Sequence, residues 1–212
     1  ANLYMPKAFP PLHGCSWASS CPGSVAPAPN ICTKTTIEEG IQPVLNQLTI
    51  QDAREVYAAI RIARPGGLGK TEAEDVSAES TGTLREVMYL AAGRDSVASE
   101  YANNFRITVG TAAPVLKELW NQCADWEAAI IHLQLRLMSD FPDTLIARKC
   151  GFAAAEQSAL HARAVLYADD FTTGLSQFDA WLRQHGNQRN PGTTADLIVA
   201  ALFVAMRDGF IP

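Results

Sequence analysis

Apolar positions along this chain recur at helical spacing from about residue 36 almost to the end, and no segment alternates at the period of two that marks a half-buried strand. Ile37, Ile41, Val44 and Leu45 outline a short amphipathic helix. Thr49 is placed to cap a second, with Asp52 at the capping-box position and Val56, Ile60 and Ala63 on its apolar side. Pro65-Gly66-Gly67 stops that helix, and Leu68 to Gly82 is polar, acidic and aperiodic, a loop of functional length. Further helices are predicted at about 83–92, 95–108, 112–121, 124–140, 143–150 (running into 152–168), 174–186 and 193–208. The fold class is therefore all-α, an irregular or orthogonal helical bundle.

The pattern fails before residue 35. Residues 1–34 carry six of the twelve prolines, with small polar residues and cysteines between them. Such a stretch buries too little apolar surface to offset its ordering entropy, so it is expected to be an irregular, poorly ordered tail ahead of a helical domain at 35–212.

Composition narrows the function classes. At 212 residues the chain forms one domain with an appendage, and 48% hydrophobic residues is ordinary for a globular protein. A net charge of −5, without a Lys/Arg cluster, argues against a nucleic-acid partner. The longest apolar run, Leu197 to Met206, is too short for a membrane span. No charged-then-apolar leader opens the chain, so a cytoplasmic location is expected. Cys15, Cys21, Cys32, Cys123 and Cys150 show no metal-ligand spacing, and their odd number suggests free thiols.

Three segments could carry chemistry. The first is Asn190-Pro191-Gly192-Thr193-Thr194-Ala195-Asp196, turn residues that open a helix. Free N–H groups and the dipole there favour a phosphate, with Asp196 one turn in and able to hold Mg²⁺; equally, Thr193 or Thr194 caps the helix and Asp196 complements its dipole. The second is Arg64-Pro65-Gly66-Gly67-Leu68-Gly69-Lys70, where glycines allow close backbone approach between two cations. It follows a helix rather than a strand, so it is no Walker loop, and a plain helix stop explains the glycines as well. Glu72, Glu74 and Asp75 follow it, either as a magnesium cluster or as a solvated acidic loop. In the third, Asp143 opens a short helix that ends on Arg148 and Lys149, which either clamp a polyphosphate or complement the C-terminal dipole. His132 reads as a buried, satisfied histidine, His161 and His185 as surface residues, and Trp120, Trp126, Phe178 and Trp181 as packing groups.

Taken in order, Leu48 to Tyr57, Arg64 to Gly69, Tyr101-Ala102-Asn103-Asn104-Phe105, Phe141 to Lys149 and Asn190 to Leu197 resemble the triphosphoribosyl-dephospho-coenzyme A synthase family, in particular its shorter archaeal and methylotroph branch. The resemblance covers about residues 40–210. It implies an all-helical transferase that moves the triphosphoribosyl group of ATP to 3′-dephospho-coenzyme A and releases adenine, through a transition state with oxocarbenium character. Carried onto this chain, it implies Arg148 and Lys149 on phosphates and Asp143 and Asp196 as catalytic groups on the ribose or on Mg²⁺, with Asp75 a further metal ligand. The turns at Arg64, Gly66 and Gly67 and at Asn190, Gly192, Thr193 and Thr194 would meet the triphosphate. ATP, with Mg²⁺, and a dephospho-coenzyme A-like acceptor are the implied small-molecule partners. The family's upstream Lys-Pro-Gly and Asn-Thr-Asn-Leu-Gly segments have no counterpart here. Codons for Cys15 to Cys21 read in another frame can give an apolar Gln-Leu-Gly-Ile-Ile-Leu, so residues 1–34 are expected to be a non-native, out-of-frame stretch. Loss of the first helices would expose apolar faces for a partner or a homodimer. Two alternatives stand beside the transferase: the same fold and nucleotide with another acceptor, such as a pterin-related one, and a non-catalytic truncated helical module.

Overall fold

Reciprocal caps set the first helices. A computed structural model describes residues 37–63, 73–123 and 125–210, and every regular element among them is helical. Helix α1 (Ile37–Gln47) leads into α2 (Ile50–Ala63), where the expected capping box forms: the Thr49 N–H donates to Asp52 Oδ2 at 2.6 Å and the Asp52 N–H to Thr49 Oγ1 at 3.3 Å. A second box, unforeseen, joins Thr83 and Glu86 at the start of α3 (Leu84–Ala91). The Thr49 carbonyl also accepts the Leu84 N–H at 3.3 Å, which ties the start of α3 to that of α2. Next come α4 (Ser96–Ala102), α5 (Ala113–Cys123), α6 (Trp126–Asp140), α7 (Thr144–Cys150), α8 (Phe152–Leu166), α9 (Phe171–Arg183) and α10 (Gly192–Arg207). The predicted all-α bundle is what forms. Among the described residues no helix is long and apolar enough to cross a membrane.

Helix α6 is the axis of packing because it is apolar on two faces. Ala129, Leu133 and Leu137 join Leu116 and Leu119 of α5 and Leu197 and Ala201 of α10 in one core. Leu135 and Met138, on the other side, join Ile146, Ala155, Ala162 and Phe178 of α7, α8 and α9. Burying each of these large side chains stabilises the fold by about 1.5–3 kcal/mol. The alanines of α8 let its backbone lie close to α6. A smaller core of Ala53, Tyr57, Leu84 and Val87 holds α2 to α3.

Boundaries depart from the periodic reading at several places. Helices 143–150 and 152–168 do not run together: Gly151, at φ +90°, separates α7 from α8. Helix α9 starts at Phe171 rather than 174, because the Asp170 side chain accepts the Thr173 N–H at 3.0 Å. His161 is not a surface residue but packs its ring 4.8 Å from that of Trp181. His132 is half-buried, with Nδ1 2.8 Å from the Ala128 carbonyl and its ring stacked on Phe171, the packing role expected of it. Trp120 and Trp126 likewise stack on each other, at 3.9 Å.

The largest departure falls inside the predicted helix 95–108. The chain breaks at Asn103–Phe105, where Asn104 and Phe105 both take φ +56°. Two successive non-glycine residues there cost about 1–2 kcal/mol each. Glu100 offsets that cost. Only 2% exposed, it accepts the Ile107 N–H at 2.8 Å on one carboxylate oxygen and the Thr108 N–H at 2.7 Å on the other, so it caps the restart of the helix. Arg85 reaches Asn104 Oδ1 at 2.9 Å from outside. The chain then runs through a π-helical segment, Thr108–Ala112, into α5. A buried acid in an apolar helix carries no sign in the sequence that its role is to end that helix. Glu100→Ala is expected to cost about 2–4 kcal/mol, since it leaves two buried N–H groups without an acceptor; urea unfolding measures it.

Candidate functional site

A carboxylate from α7 joins the two segments that the sequence singled out separately. Asp143, 2% exposed, uses Oδ1 to accept the Leu145 and Ile146 N–H groups at 2.8 and 3.0 Å, an N-cap for α7. Its Oδ2 accepts the Thr194 N–H at 2.7 Å and the Thr194 hydroxyl at 2.8 Å, at the start of α10. Thr193 Oγ1, also buried, accepts from the Thr144 hydroxyl and the Leu145 N–H, both at 3.1 Å. Thr144 Oγ1 in turn accepts the Ser96 N–H at 3.1 Å, which adds α4 to the joint. Three helix starts thus meet on one buried acid and three threonines. Neither Thr193 nor Thr194 caps α10 by its side chain. The anion that the α10 N-terminus attracts is, in this arrangement, the protein's own Asp143.

Beside the joint lies a cavity of about 570 Å³. Tyr57 and Ile60 of α2, Val87 and Met88 of α3, and Val97 and Ala98 of α4 give it apolar lining. Arg94, Asp95, Arg148, Gly192, Thr193 and Asp196 give it polar lining, and Glu74 adds another acid. Arg148 Nη1 pairs with Asp95 Oδ2 at 2.8 Å and donates to the Arg94 carbonyl at 3.2 Å, while Asp95 Oδ1 caps α4. Arg148 is therefore fixed at the cavity wall rather than used on its own helix dipole. Arg94 lines the cavity from an exposed turn. Tyr57 donates its hydroxyl to the Glu74 carbonyl at 2.8 Å, and burial, then the negative charge of Glu74, push its phenol above the usual range. Hydrogen bonds from Thr81, then Ser80, hold the Glu74 carboxyl below its usual range.

Asp196 behaves differently from the other acids of the site. Burial, then the charges of Asp95 and Asp143, raise its pKa above the ordinary carboxylate value. Among the described residues no hydrogen bond satisfies it, whereas four satisfy Asp143.

Not every residue singled out in the sequence reaches the cavity. Asp143, Arg148, Gly192, Thr193, Thr194 and Asp196 come together at the joint or the cavity wall. Lys149, adjacent to Arg148 and so about 100° round the helix, faces a separate surface hollow with Asn187 and Gln188. Asn190 is exposed, and its carbonyl accepts the Gly192 N–H at 2.9 Å. Gly192 owes its small size to packing, since a Cβ there would meet Leu145 Cδ2 at 2.6 Å. Asp75 turns toward its own loop, accepting the Ser77 N–H at 2.9 Å. Arg64, Gly66, Gly67, Lys70 and Glu72 lie outside the described residues. Reasoning from sequence missed Arg94, Asp95 and Tyr57. For Asp95 the signal was present, an acid just before a helix; for Arg94 and Tyr57 there was none.

The donor set bears on metal binding. Among the described residues no group of three or more His, Cys, Asp or Glu side chains is placed to hold an ion. Asp143 accepts four hydrogen bonds already, so Asp196 is the carboxylate left to touch a metal carried in by a ligand.

Two outcomes follow. Asp143→Asn turns an amide N–H toward the Thr194 N–H, and a loss of about 2–3 kcal/mol is expected in urea unfolding. Asp196→Asn has the opposite sign. The native carboxyl holds its proton more tightly than the unfolded one, so stability falls as pH rises through its titration. The neutral amide escapes that loss: the variant should melt higher than wild type at pH 7, and the difference should close as pH drops below the ordinary carboxylate range.

Comparison with known proteins completes the description of the site. No curated protein matches the sequence. A crystal structure from Archaeoglobus fulgidus, assigned as a triphosphoribosyl-dephospho-coA synthase, matches with a TM-score of 0.64 and 25% identity, over 83% of this chain and 76% of that one. The family model of ATP:dephospho-CoA triphosphoribosyl transferase matches residues 18–210, a span that holds the whole cavity wall and begins inside the proline-rich segment. The chain belongs to the ATP:dephospho-CoA triphosphoribosyl transferase family.

Proposed function

We propose that the protein transfers the triphosphoribosyl group of ATP to the hydroxyl of dephospho-coenzyme A, with release of adenine. The observation that carries this reading is a single cavity lined by apolar side chains, by Arg94 and Arg148 and by Asp196, a carboxylate whose pKa is raised. Family membership favours dephospho-coenzyme A over a pterin-type acceptor. Ile60, Val87 and Met88 suit the adenine ring, and Arg94 and Arg148 suit the triphosphate. Against these two arginines the wall sets Glu74, Asp95 and Asp196. A triphosphate entering such a wall brings its own countercharge, so ATP arrives as its Mg²⁺ complex, the ion held chiefly by phosphate oxygens and water with Asp196 in reach.

The chemistry breaks the bond between ribose C1′ and adenine N9 and forms one between C1′ and the acceptor oxygen. Positive charge builds on the ribose as N9 leaves. Asp196 opposes that charge and takes the acceptor's hydroxyl proton; adenine takes a proton at N9 from water, and Asp196 gives its own back to water, so the one proton lost by the acceptor is the one adenine gains. A carboxyl with a raised pKa is the better base for this. Asp143 acts one step removed, as a positioning residue: by pinning Thr194 it sets where the first turns of α10, and hence Asp196, stand.

Adenine release from Mg·ATP, with and without dephospho-coenzyme A, tests the reading. Release should require the acceptor. Asp196→Ala should lower kcat by about 10²-fold or more while leaving the KM for ATP within a few-fold. Arg94→Ala should raise the KM for ATP about tenfold, the loss of one charged contact. A folded wild-type protein that releases no adenine, and that Mg·ATP does not protect against heat, would end the proposal.

A further inference from the structure

A second cavity, of about 760 Å³, lies between α1, the π-helical segment and α10, and shares Asp196 with the first. Its lining is apolar for most of its length: Ile41 and Val44 of α1, Phe105 and Val109, and Val199 and Phe203 of α10. Val44, Val199 and Phe203 are 60–66% exposed, unusual for large side chains that share one face. Asp196 and Arg207 mark the two ends of the groove on α10, and eleven residues of helix place them about 16 Å apart along its axis. The groove therefore suits an extended ligand better than a compact one.

A polar group is also waiting in it. Thr108 lines the groove and is 2% exposed, and its hydroxyl is buried with no hydrogen-bond partner among the described residues. An unpaired buried hydroxyl costs stability, and a ligand amide or carbonyl would satisfy it. The strained turn at Asn104–Phe105 and the π-helical segment put Thr108 and Phe105 on this wall, where a continuous helix would have set a different register.

We propose that this groove holds the pantetheine arm of the acceptor, with Thr108 bonding one of its amides and Asp196 standing where the two substrates meet. The inference rests on the transferase reading for the acceptor's identity. Dephospho-coenzyme A joins an adenosine, whose hydroxyls can attack C1′, through a diphosphate to a long chain of methylenes and two amides. A chain of that chemistry matches a groove that, between Asp196 and Arg207, is apolar but for Thr108. Nucleotide and acceptor then approach Asp196 from opposite sides, which gives the attacking oxygen a path to C1′ that does not cross the triphosphate.

Two variants test it. Thr108→Val keeps shape and removes the hydroxyl. It should raise the KM for dephospho-coenzyme A about fivefold, the effect of one neutral hydrogen bond, with the KM for ATP unchanged. Its melting temperature should equal or exceed that of wild type, because the hydroxyl has no partner in the free protein. A merely structural threonine would not combine higher stability with a weaker acceptor. Ala200→Phe fills the groove and should raise the acceptor KM more than about tenfold. Heat protection by Mg·ATP shows that this variant is folded. Equilibrium dialysis with pantetheine alone reads the groove without any transfer chemistry: wild type should bind it and Ala200→Phe should not. If wild type binds pantetheine but releases no adenine, the groove stands and the transferase reading falls. If adenine is released while both variants keep the wild-type acceptor KM and wild type binds no pantetheine, the groove assignment is overturned and the transferase reading stands. Loss of a dimer in Ala200→Phe with an unchanged acceptor KM would also overturn it, since the groove would then be covered by a second copy of the chain.

Discussion

Asp143 is the constraint on which the rest of the site depends. One buried carboxylate accepts from the start of α7 with one oxygen and from the start of α10 with the other. An isolated buried anion would be prohibitively unstable. Here four donors and the positive ends of two helix dipoles take the place of water around it. Helix dipoles that could each have bound a ligand anion are instead spent on each other's anchor. The cavity beside the joint keeps only what Asp143 does not use: the two arginines, the face of Thr193 and the carboxylate of Asp196.

That division separates two kinds of acid which sequence alone cannot tell apart. Asp143 and Asp196 both sit near the start of a helix, next to threonines and a turn. Asp143 is fully hydrogen-bonded and enclosed, a residue that sets geometry. Asp196 is raised by burial and by two like charges, with nothing arranged to calm it. A fold selected only for stability would neutralise or pair such a group. Asp196 stands where two cavities meet, the placement that the proposed transfer asks of a base.

Much of the fold was legible because helical periodicity and caps are local. Thr49 and Asp52 announced α2, and the span of α6 followed from its apolar spacing. What was not legible depended on partners distant in sequence. Glu100 reads as a surface acid of a long helix, yet it is buried and ends that helix, because its acceptors are needed by Ile107 and Thr108. Adjacent cations at 148 and 149 looked like one clamp. The pitch of a short helix sends Arg148 to Asp95 and Lys149 to another surface. The glycine at 192 also makes room for Leu145, a contact the sequence does not announce. Arg94 could not be found at all, since its role comes only from where α3 ends relative to α10.

The broken helix at Asn103–Phe105 connects these levels. Its two left-handed residues are costly, and the buried Glu100 that offsets them costs desolvation of its own. A straight helix from 95 to 108 would avoid both. It would also carry Thr108 and Phe105 round to other faces and close the wall they share with α10. The π-helical segment that follows leaves an unsatisfied hydroxyl on that wall, a third unfavourable feature within a dozen residues. These three features occur together, and packing does not explain the hydroxyl, whose cost Thr108→Val would remove. They are explained together if the wall must present a polar atom inside an apolar groove that ends at Asp196, and the strain is then the structural counterpart of a second substrate.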